Sequence, residues 1–486
     1  TILNIGADLD QDAPILYLRV AGASVKRGAH VINAGGRRTK LDAQAQTTLR
    51  YRYGTAAHLA LGLLASVVKQ GLSSDDWVKS RTTGFADLEK ALQNYAPDKV
   101  ADITGIEADA IDAAAKAFAE AENGIIIFGL EAGNDPALKA ALEALALVTG
   151  HAGKANNGLI AVLPHANSRG AVDMGILPDR LPGYKPVETN AGLSAQEMLQ
   201  AGQVKGLLIA AADPAPDSDS YKQALEQLDF LVVQELFLTE TALLADVVLP
   251  ARGMAERDGS YTNLERRVQT FDTAVPAPPK AWADWLIFTG IAGQMGADWA
   301  YASADGVMAE ITQRVSLYAG MGFKNLTAPI SLQRKTEHYI YEGMSFTADV
   351  REGVQWATAA ENDSSPQIPL RFVEPAKVKS DEKGLTLVAP RMLYDGGRLL
   401  AEAETVAAHI LEPELMLSGH DARKMGLANG DEVTVSQNGA TVTVPVRINR
   451  TVSEGVALMP RNLAGRPAEK LVGPDGLYST VNVEKS

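Results

Sequence analysis

Short β-branched apolar runs alternate with longer amphipathic or alanine-rich stretches along most of the chain, and this alternation limits the available folds more than any other feature. Ile2–Ile5 and Ala29–Ala34 read as strands, the second ending at Gly35-Gly36, with the amphipathic stretch Ala13–Arg27 between them. Gly54–Gly71 and Pro97–Ala121 carry helical, alanine-rich periodicity, with a stop at Gly124. Gly124–Gly129 is continuously apolar, as a strand covered on both faces is, and Pro136–Thr149 reads as another helix. Strands separated by helices must run parallel and be joined by crossovers, which predicts a doubly wound α/β lobe over residues 1–165.

Residues 166–330 repeat the plan. Helical stretches are expected at Ser194–Ala201, Ser220–Leu228, Thr239–Ala245 and Trp282–Met295, and strands at Val204–Ala212, Phe230–Gln234 and Val247–Leu249. A less periodic connecting segment follows over 331–383, with a loop or hinge at Glu361–Pro366. From residue 384 to 486 the period changes to that of short strands, at Leu385–Ala389, Glu432–Ser436 and Ala440–Val446. Turns are expected at Asn429-Gly430-Asp431 and Asn438-Gly439, and a small helix at Asp421–Met425. The expected fold is α/β: two Rossmann-like doubly wound lobes with a cleft between them, then a β-rich barrel or sandwich. A length of 486 residues requires such a division, because single cores stop growing near ~250–300 residues.

Composition removes several function classes. The sequence has no cysteine, so it offers no disulfide, thiolate metal ligand or cysteine nucleophile. A net charge of −14 disfavours nucleic-acid partners, which call for a basic face. No apolar run reaches the ~18 residues of a membrane span, so no direct membrane insertion is expected. The beginning, TILNIGADLD, lacks a signal-peptide pattern, and Thr1 suggests a trimmed or processed chain. No phosphate-binding GxxxxGK[ST] loop is present, no GxGxxG follows a strand, and there is neither an HExxH nor a GxSxG motif. The seven histidines (30, 58, 151, 165, 338, 409 and 420) have no metal-site spacing. Neither a catalytic residue nor a metal ligand is assigned.

Two segments could carry chemistry. Thr239–Gln269 joins the strand Val247–Leu249 to a loop holding Glu256, Asn263, Glu265, Arg266 and Arg267. Glu256 with the two arginines could form buried bidentate pairs, or the arginines could face phosphates; spacing leaves both open. His165–Gly183 is rich in small residues and could line a large polar cofactor or simply connect two lobes.

The residues of these segments resemble the molybdopterin oxidoreductases. The matching pieces are Arg37-Arg38-Thr39, the Gly54-Thr55 turn, NSRGAVDMG at 167–175, DFLVVQ at 229–234, the whole of Thr239–Gln269, and His420-Asp421-Ala422 with Gly430-Asp431 in the last domain. The resemblance spans nearly the whole chain and implies lobed α/β domains with a double-psi type barrel. Departures accompany it. Gly35-Gly36 stands where the family has an aspartate, Ala56 follows Gly54-Thr55 where it has another, and Ala211-Ala212 replaces a Gly-Glu pair. Each lost carboxylate would remove roughly 1.5–3 kcal/mol of charged hydrogen bonding.

Asn156–Gly175 and Leu181–Tyr184 look most like one branch, the C-terminal part of the large peripheral-arm subunit of NADH-quinone oxidoreductase, respiratory complex I. That resemblance implies a structural scaffold without its own redox centre, beside iron–sulfur clusters carried in an N-terminal region before Thr1. It also implies that molybdopterin has been lost, leaving Arg37, Asn167, Asp213, Asn263 and Arg266 as remnants of the pocket. The expected partners are other hydrophilic subunits of the peripheral arm, on the cytoplasmic face of the inner membrane. The alternatives are a large-subunit fragment of an active molybdopterin enzyme such as NAD-linked formate dehydrogenase, and a free-standing nucleotide-binding protein.

Overall fold

The computed structural model describes residues 1–132, 135–153, 156–326, 367–377, 384–437, 439–474 and 476–486. The expected hinge at Glu361–Pro366, most of the connecting segment, His338 and Asn438 of the second turn lie outside the described residues. The chain forms two compact units, Thr1–Pro164 with Thr358–Ser486, and His165–Ala357.

In the first unit, strands β1 (Ile2–Ile5), β2 (Val31–Gly35), β3 (Thr47–Arg50), β4 (Ile125–Phe128) and β5 (Gly158–Ala161) form a parallel sheet of order β3-β2-β1-β4-β5. Alternation along each strand divides its apolar side chains between two cores. Leu3, Ile5, Ile32, Leu49 and Ile126 pack on one face with the helices Ala56–Lys69, Ala108–Ala119 and Pro136–Val148. Ile2, Val31 and Ile127 pack on the other with Tyr17 and Val20 of the helix Pro14–Arg27. The lobe is therefore doubly wound, as its alternating pattern requires. Residues 56–67 are buried on every side of their helix, which explains their nearly unbroken apolar sequence.

One local expectation needs correction, and one strand had not been foreseen. Pro97–Ala121 is two helices, Pro97–Thr104 and Ala108–Ala119, because Gly105 turns to φ +79° and its N–H closes the first helix on Ala101 O. The polar run Thr47–Arg50, which has no strand pattern of its own, becomes an edge strand by pairing with β2.

In the second unit, β6 (Gly206–Ala210), β7 (Phe230–Glu235) and β8 (Val247–Pro250) form a parallel sheet of order β8-β7-β6. One face packs Ile209, Leu231 and Val233 against Tyr221, Leu225 and Ala242 of the helices Asp219–Glu226 and Glu240–Leu244. Part of the segment expected to be a loop is an antiparallel hairpin, β9 (Gly259–Thr262) with β10 (Val268–Phe271), and the Tyr261 and Phe271 rings stack at 4.9 Å. Its four-residue strands, GSYT and VQTF, lack regular polar–apolar alternation, so the sequence pattern is faint.

The C-terminal part of the first unit is a closed barrel. Its strands are β11 (Leu385–Val388), β12 (Leu415–Leu417), β13 (Glu432–Gln437), β14 (Ala440–Ile448), β15 (Val456–Leu458) and β16 (Tyr478–Lys485), in the order β11-β15-β12-β14-β13-β16. Inward residues such as Leu387, Leu415, Leu417, Val433, Val435 and Ala457 fill it. The barrel packs on the first lobe through Tyr53, which is buried with Val388, Met416, Val452 and Leu458. Hydrogen bonds also join the same parts, among them Arg38 N–H to Thr451 O at 3.2 Å and Ser453 Oγ to Gly36 O at 3.0 Å. The expected α/β class with a C-terminal barrel is borne out.

Candidate functional site

In an open parallel sheet the ligand crevice lies beyond the carboxyl ends of the strands, where the strand order reverses. In the first lobe that point is between β1 and β4, and Arg37 occupies it. Its Nη2 donates to Asp8 Oδ2 at 2.8 Å and its Nε to Glu131 Oε1 at 3.0 Å, while the Tyr53 hydroxyl donates to Glu131 Oε2 at 3.1 Å. All four side chains are buried. Burial alone would lower the arginine's pKa, but Glu131 and Asp8 more than reverse this and raise it. The backbone also closes here, since a Cβ on Gly129 would meet Ala7 Cβ at 2.5 Å. Arg37 is thus committed to the protein's own carboxylates, and this edge is structural.

The other four sequence candidates lie in the second unit. Asp213 Oδ1 accepts from Thr241 N–H at 2.9 Å and from Thr241 Oγ1 at 2.7 Å, while Thr241 Oγ1 accepts from Ala215 N–H. It fastens the turn after β6 to the helix Glu240–Leu244. Asn263 Oδ1 accepts from the N–H groups of Glu265 and Arg267 at 2.9 Å each, which builds the end of the β9–β10 hairpin. That turn holds Arg266 at φ +64°, in the left-handed region. Asn167 Oδ1 accepts from Thr262 N–H at 2.8 Å and so ties the helix Ser168–Asp173 to the hairpin. Glu256 Oε2 accepts from Gly253 N–H at 2.8 Å, and Arg267 Nε lies 3.9 Å from Glu265.

These ties bring Arg266 toward a group that the sequence did not single out. Asp173 is fully buried, and it accepts hydrogen bonds from the Tyr184 hydroxyl at 2.5 Å and the Tyr318 hydroxyl at 2.8 Å. Burial raises its pKa against the opposing effect of both hydroxyls and of Arg169 and Arg266. Burial also lowers the pKa of Arg266, helped by the like charge of Arg169, with Tyr184 and Asp173 opposing. Two guanidinium groups, Arg169 and Arg266, thus share the surroundings of this carboxylate. Arg169 Nη1 donates to Tyr184 Oη at 3.4 Å, and its Nε is shielded from solvent with no hydrogen-bond partner among the described residues.

A second polar cluster stands at the carboxyl end of β7. Gln234 Nε2 donates to Asp284 Oδ1 at 2.6 Å, and Arg257 pairs with the other oxygen of the same carboxylate. Among the described residues, Gln234 Oε1, Arg257 Nε and Trp285 Nε1 are shielded from solvent with no hydrogen-bond partner. Buried polar atoms are nearly always paired, so an acceptor and two donors left over at the strand ends fit a polar ligand. The shielded N–H of Arg169 Nε fits an acceptor on an anionic group. The first cluster suits an anionic group and the second a polar one.

Sequence reasoning missed Arg169, Asp173, Tyr318, Gln234, Arg257 and Asp284 as site residues. Arg169 and Asp173 were inside the flagged 165–183 segment, but Tyr318 lies 145 residues beyond Asp173 and Asp284 50 beyond Gln234. No local pattern marks such pairings. Among the described residues, no group of three or more His, Asp or Glu could hold a metal ion. None of their helices is long and apolar enough to cross a membrane.

A model of the molybdopterin oxidoreductase family matches residues 1–294, and one of the molybdopterin dinucleotide binding domain matches residues 385–480. The F420-dependent formate dehydrogenase subunit alpha of Methanocaldococcus jannaschii is 31% identical, with 94% of this chain and 71% of that protein aligned. The F420-dependent formate dehydrogenase 2 subunit alpha of Methanococcus maripaludis is 30% identical, over 97% of this chain and 72% of that protein. The NADPH-Fe(3+) oxidoreductase subunit alpha of Geobacter sulfurreducens is 28% identical over 100% of this chain and 56% of that protein. Among solved structures, acetylene hydratase from Pelobacter acetylenicus superposes with a TM-score of 0.75 over 100% of this chain and 78% of its own, at 19% identity, a likeness of fold. These matches overturn two expectations. The complex I scaffold gives way to formate dehydrogenase alpha subunits, which align along nearly the whole chain. The expected loss of molybdopterin conflicts with the match to the dinucleotide binding domain. The first error came from weighing the short segments Asn156–Gly175 and Leu181–Tyr184, the second from weighing the substituted positions Gly35, Ala56 and Ala211, above the pattern of the entire chain.

Proposed function

Because the chain belongs to the molybdopterin oxidoreductase family, we propose that it is the cofactor-holding body of an alpha-type oxidoreductase subunit, acting on formate or a similarly small oxidisable substrate. The observation that carries this reading is the set of unpaired polar atoms at the carboxyl end of β7, in a chain whose relatives are formate dehydrogenase alpha subunits. When bound, a pterin-held molybdenum centre would supply two-electron redox chemistry. This chain's residues would do the rest. Gln234 Oε1 would accept from a ligand N–H, while Arg257 Nε and Trp285 Nε1 would donate to ligand oxygens or ring nitrogens. Asp284 positions Gln234 and Arg257 by holding both. Arg169 would donate through Nε to an anionic part of the ligand, with Tyr184 and Asp173 holding its guanidinium in place. The sequence supplies no thiolate, so any side chain of this chain that reaches the metal has an oxygen, nitrogen or thioether donor.

Purification from molybdenum-replete cells tests the reading. Stoichiometric molybdenum with extractable pterin, and formate-dependent reduction of a dye, are the expected results. Arg169→Gln should lower pterin retention while leaving the melting point of cofactor-free protein nearly unchanged. Purified protein without molybdenum or pterin would overturn the reading.

A further inference from the structure

We propose that the buried cluster of Asp8, Asp12, Arg37 and Glu131 is a proton-operated latch that fastens the C-terminal barrel to the first lobe. Charge balance is the first argument. Three carboxylates surround one guanidinium: Asp8 and Glu131 bond Arg37 directly, and Asp12 Oδ2 accepts from Asp8 N–H at 3.1 Å. Fully ionised, the cluster would hold two uncompensated negative charges in a region largely removed from water, so one proton relieves it. Asp12 is the half-buried member and so the one that solvent protons reach.

Position is the second argument. Every hydrogen-bonded link named between this edge and the barrel lies one residue from a member of the cluster. Gly36 and Arg38, on either side of Arg37, bond Ser453 and Thr451. Gln11, next to Asp12, accepts from Leu393 N–H through Oε1 at 3.0 Å. Tyr53, which donates to Glu131, is buried against barrel residues and lies 6.4 Å, centroid to centroid, from Tyr478. A shift of the cluster is therefore carried straight to the joint.

The charged groups facing Asp12 are Glu131 after β4, Asp8 at the start of its own helix, and Arg37 after β2. Asp10, on that helix, is paired with Lys40 at the surface. On the barrel side, Arg450 and Glu454 flank the contact residues Thr451 and Ser453, and both are exposed. Burial first, then Glu131 and Asp8, push Asp12 up to about 7. Below that pH a neutral Asp12 still accepts from Asp8 N–H, and the helix Leu9–Asp12 stays seated with Gln11 on Leu393. Above it the added negative charge repels Asp8 and Glu131, and the links at Gln11, Gly36 and Arg38 loosen.

Hydrogen exchange of the whole protein, corrected for the intrinsic pH dependence of exchange, reads this directly. Between pH 6 and pH 8 the protection of the Arg38 and Leu393 amides should fall by about tenfold, the size of a one-unit shift. Asp12→Asn should abolish that fall, whereas Asp10→Asn should keep it. Should Asp12→Asn not fold, Gln11→Ala provides the second reading: low protection at Leu393 at both pH values, with the strands of the first lobe still protected. Wild-type protection that does not change across the window, an Asp12→Asn protein that keeps the full fall, or a Gln11→Ala protein that protects Leu393 as before would each overturn the latch.

Discussion

Arg37 shows how a residue's role depends on partners far along the chain. Its two carboxylates, Asp8 and Glu131, are 29 and 94 residues away, and all three are buried. Arg37→Ala leaves both carboxylates buried beside a lost cation, so it should cost about 3–5 kcal/mol. The measurement is the urea midpoint, with an unchanged m-value. Arg37→Lys keeps the charge but loses the forked geometry, and should fall between wild type and alanine. At this scale the sequence was only partly legible. It marked Arg37, Asn167, Asp213, Asn263 and Arg266 through motif resemblance, but their partners show that Asp213 and Asn263 build turns and that Arg37 locks a sheet edge. Of the residues with unpaired atoms, Arg169, Gln234 and Arg257 lay inside matched segments and Trp285 outside them, but none was singled out, because a lone polar side chain reads the same whether satisfied or not.

At the scale of elements, strands and helices with strong periodicity were legible, and those formed by tertiary pairing were not. The run Ile125–Phe128 declares itself through hydrophobicity, whereas Thr47–Arg50 is a strand only because β2 offers it a ladder. The connections between elements are equally constrained. The turn after β1 depends on Gly6, which has φ +62° and lies so near the β4 turn that an added Cβ would be 2.3 Å from Ala132 Cβ. Gly6→Ala meets both a left-handed backbone and a collision with main chain, so a loss of about 2–4 kcal/mol is expected from strain and overpacking together. Thermal melting would show it, and an unchanged midpoint would mean that the two turns can part without cost.

For the whole molecule, the balance of shifted carboxylates sets the pH dependence of stability. Asp12 is pushed up to about 7, and Asp8 and Asp173 are also raised, in each case chiefly by burial. A carboxylate with a raised folded pKa binds its proton more tightly in the folded state. Its contribution is fully present below the unfolded value near 4 and is lost as pH rises through the folded value. Stability should therefore decline between pH 5 and pH 8, by at most roughly 1.4 kcal/mol per pH unit for each proton released. Denaturant titrations at several pH values would check this, and a stability that rises over the same window would contradict it. What the sequence determined by itself was the alternation of strands and crossover helices, the change to a barrel near residue 384, and the family to which the chain belongs. All of these rest on local period or on contiguous motif. Only the tertiary structure decided which charges meet, that the sheet edge at Arg37 is filled by its own carboxylates, and that the unpaired donors gather at the end of β7. Such choices depend on burial and on side chains brought together from tens to hundreds of residues apart, where the sequence has no periodicity to read.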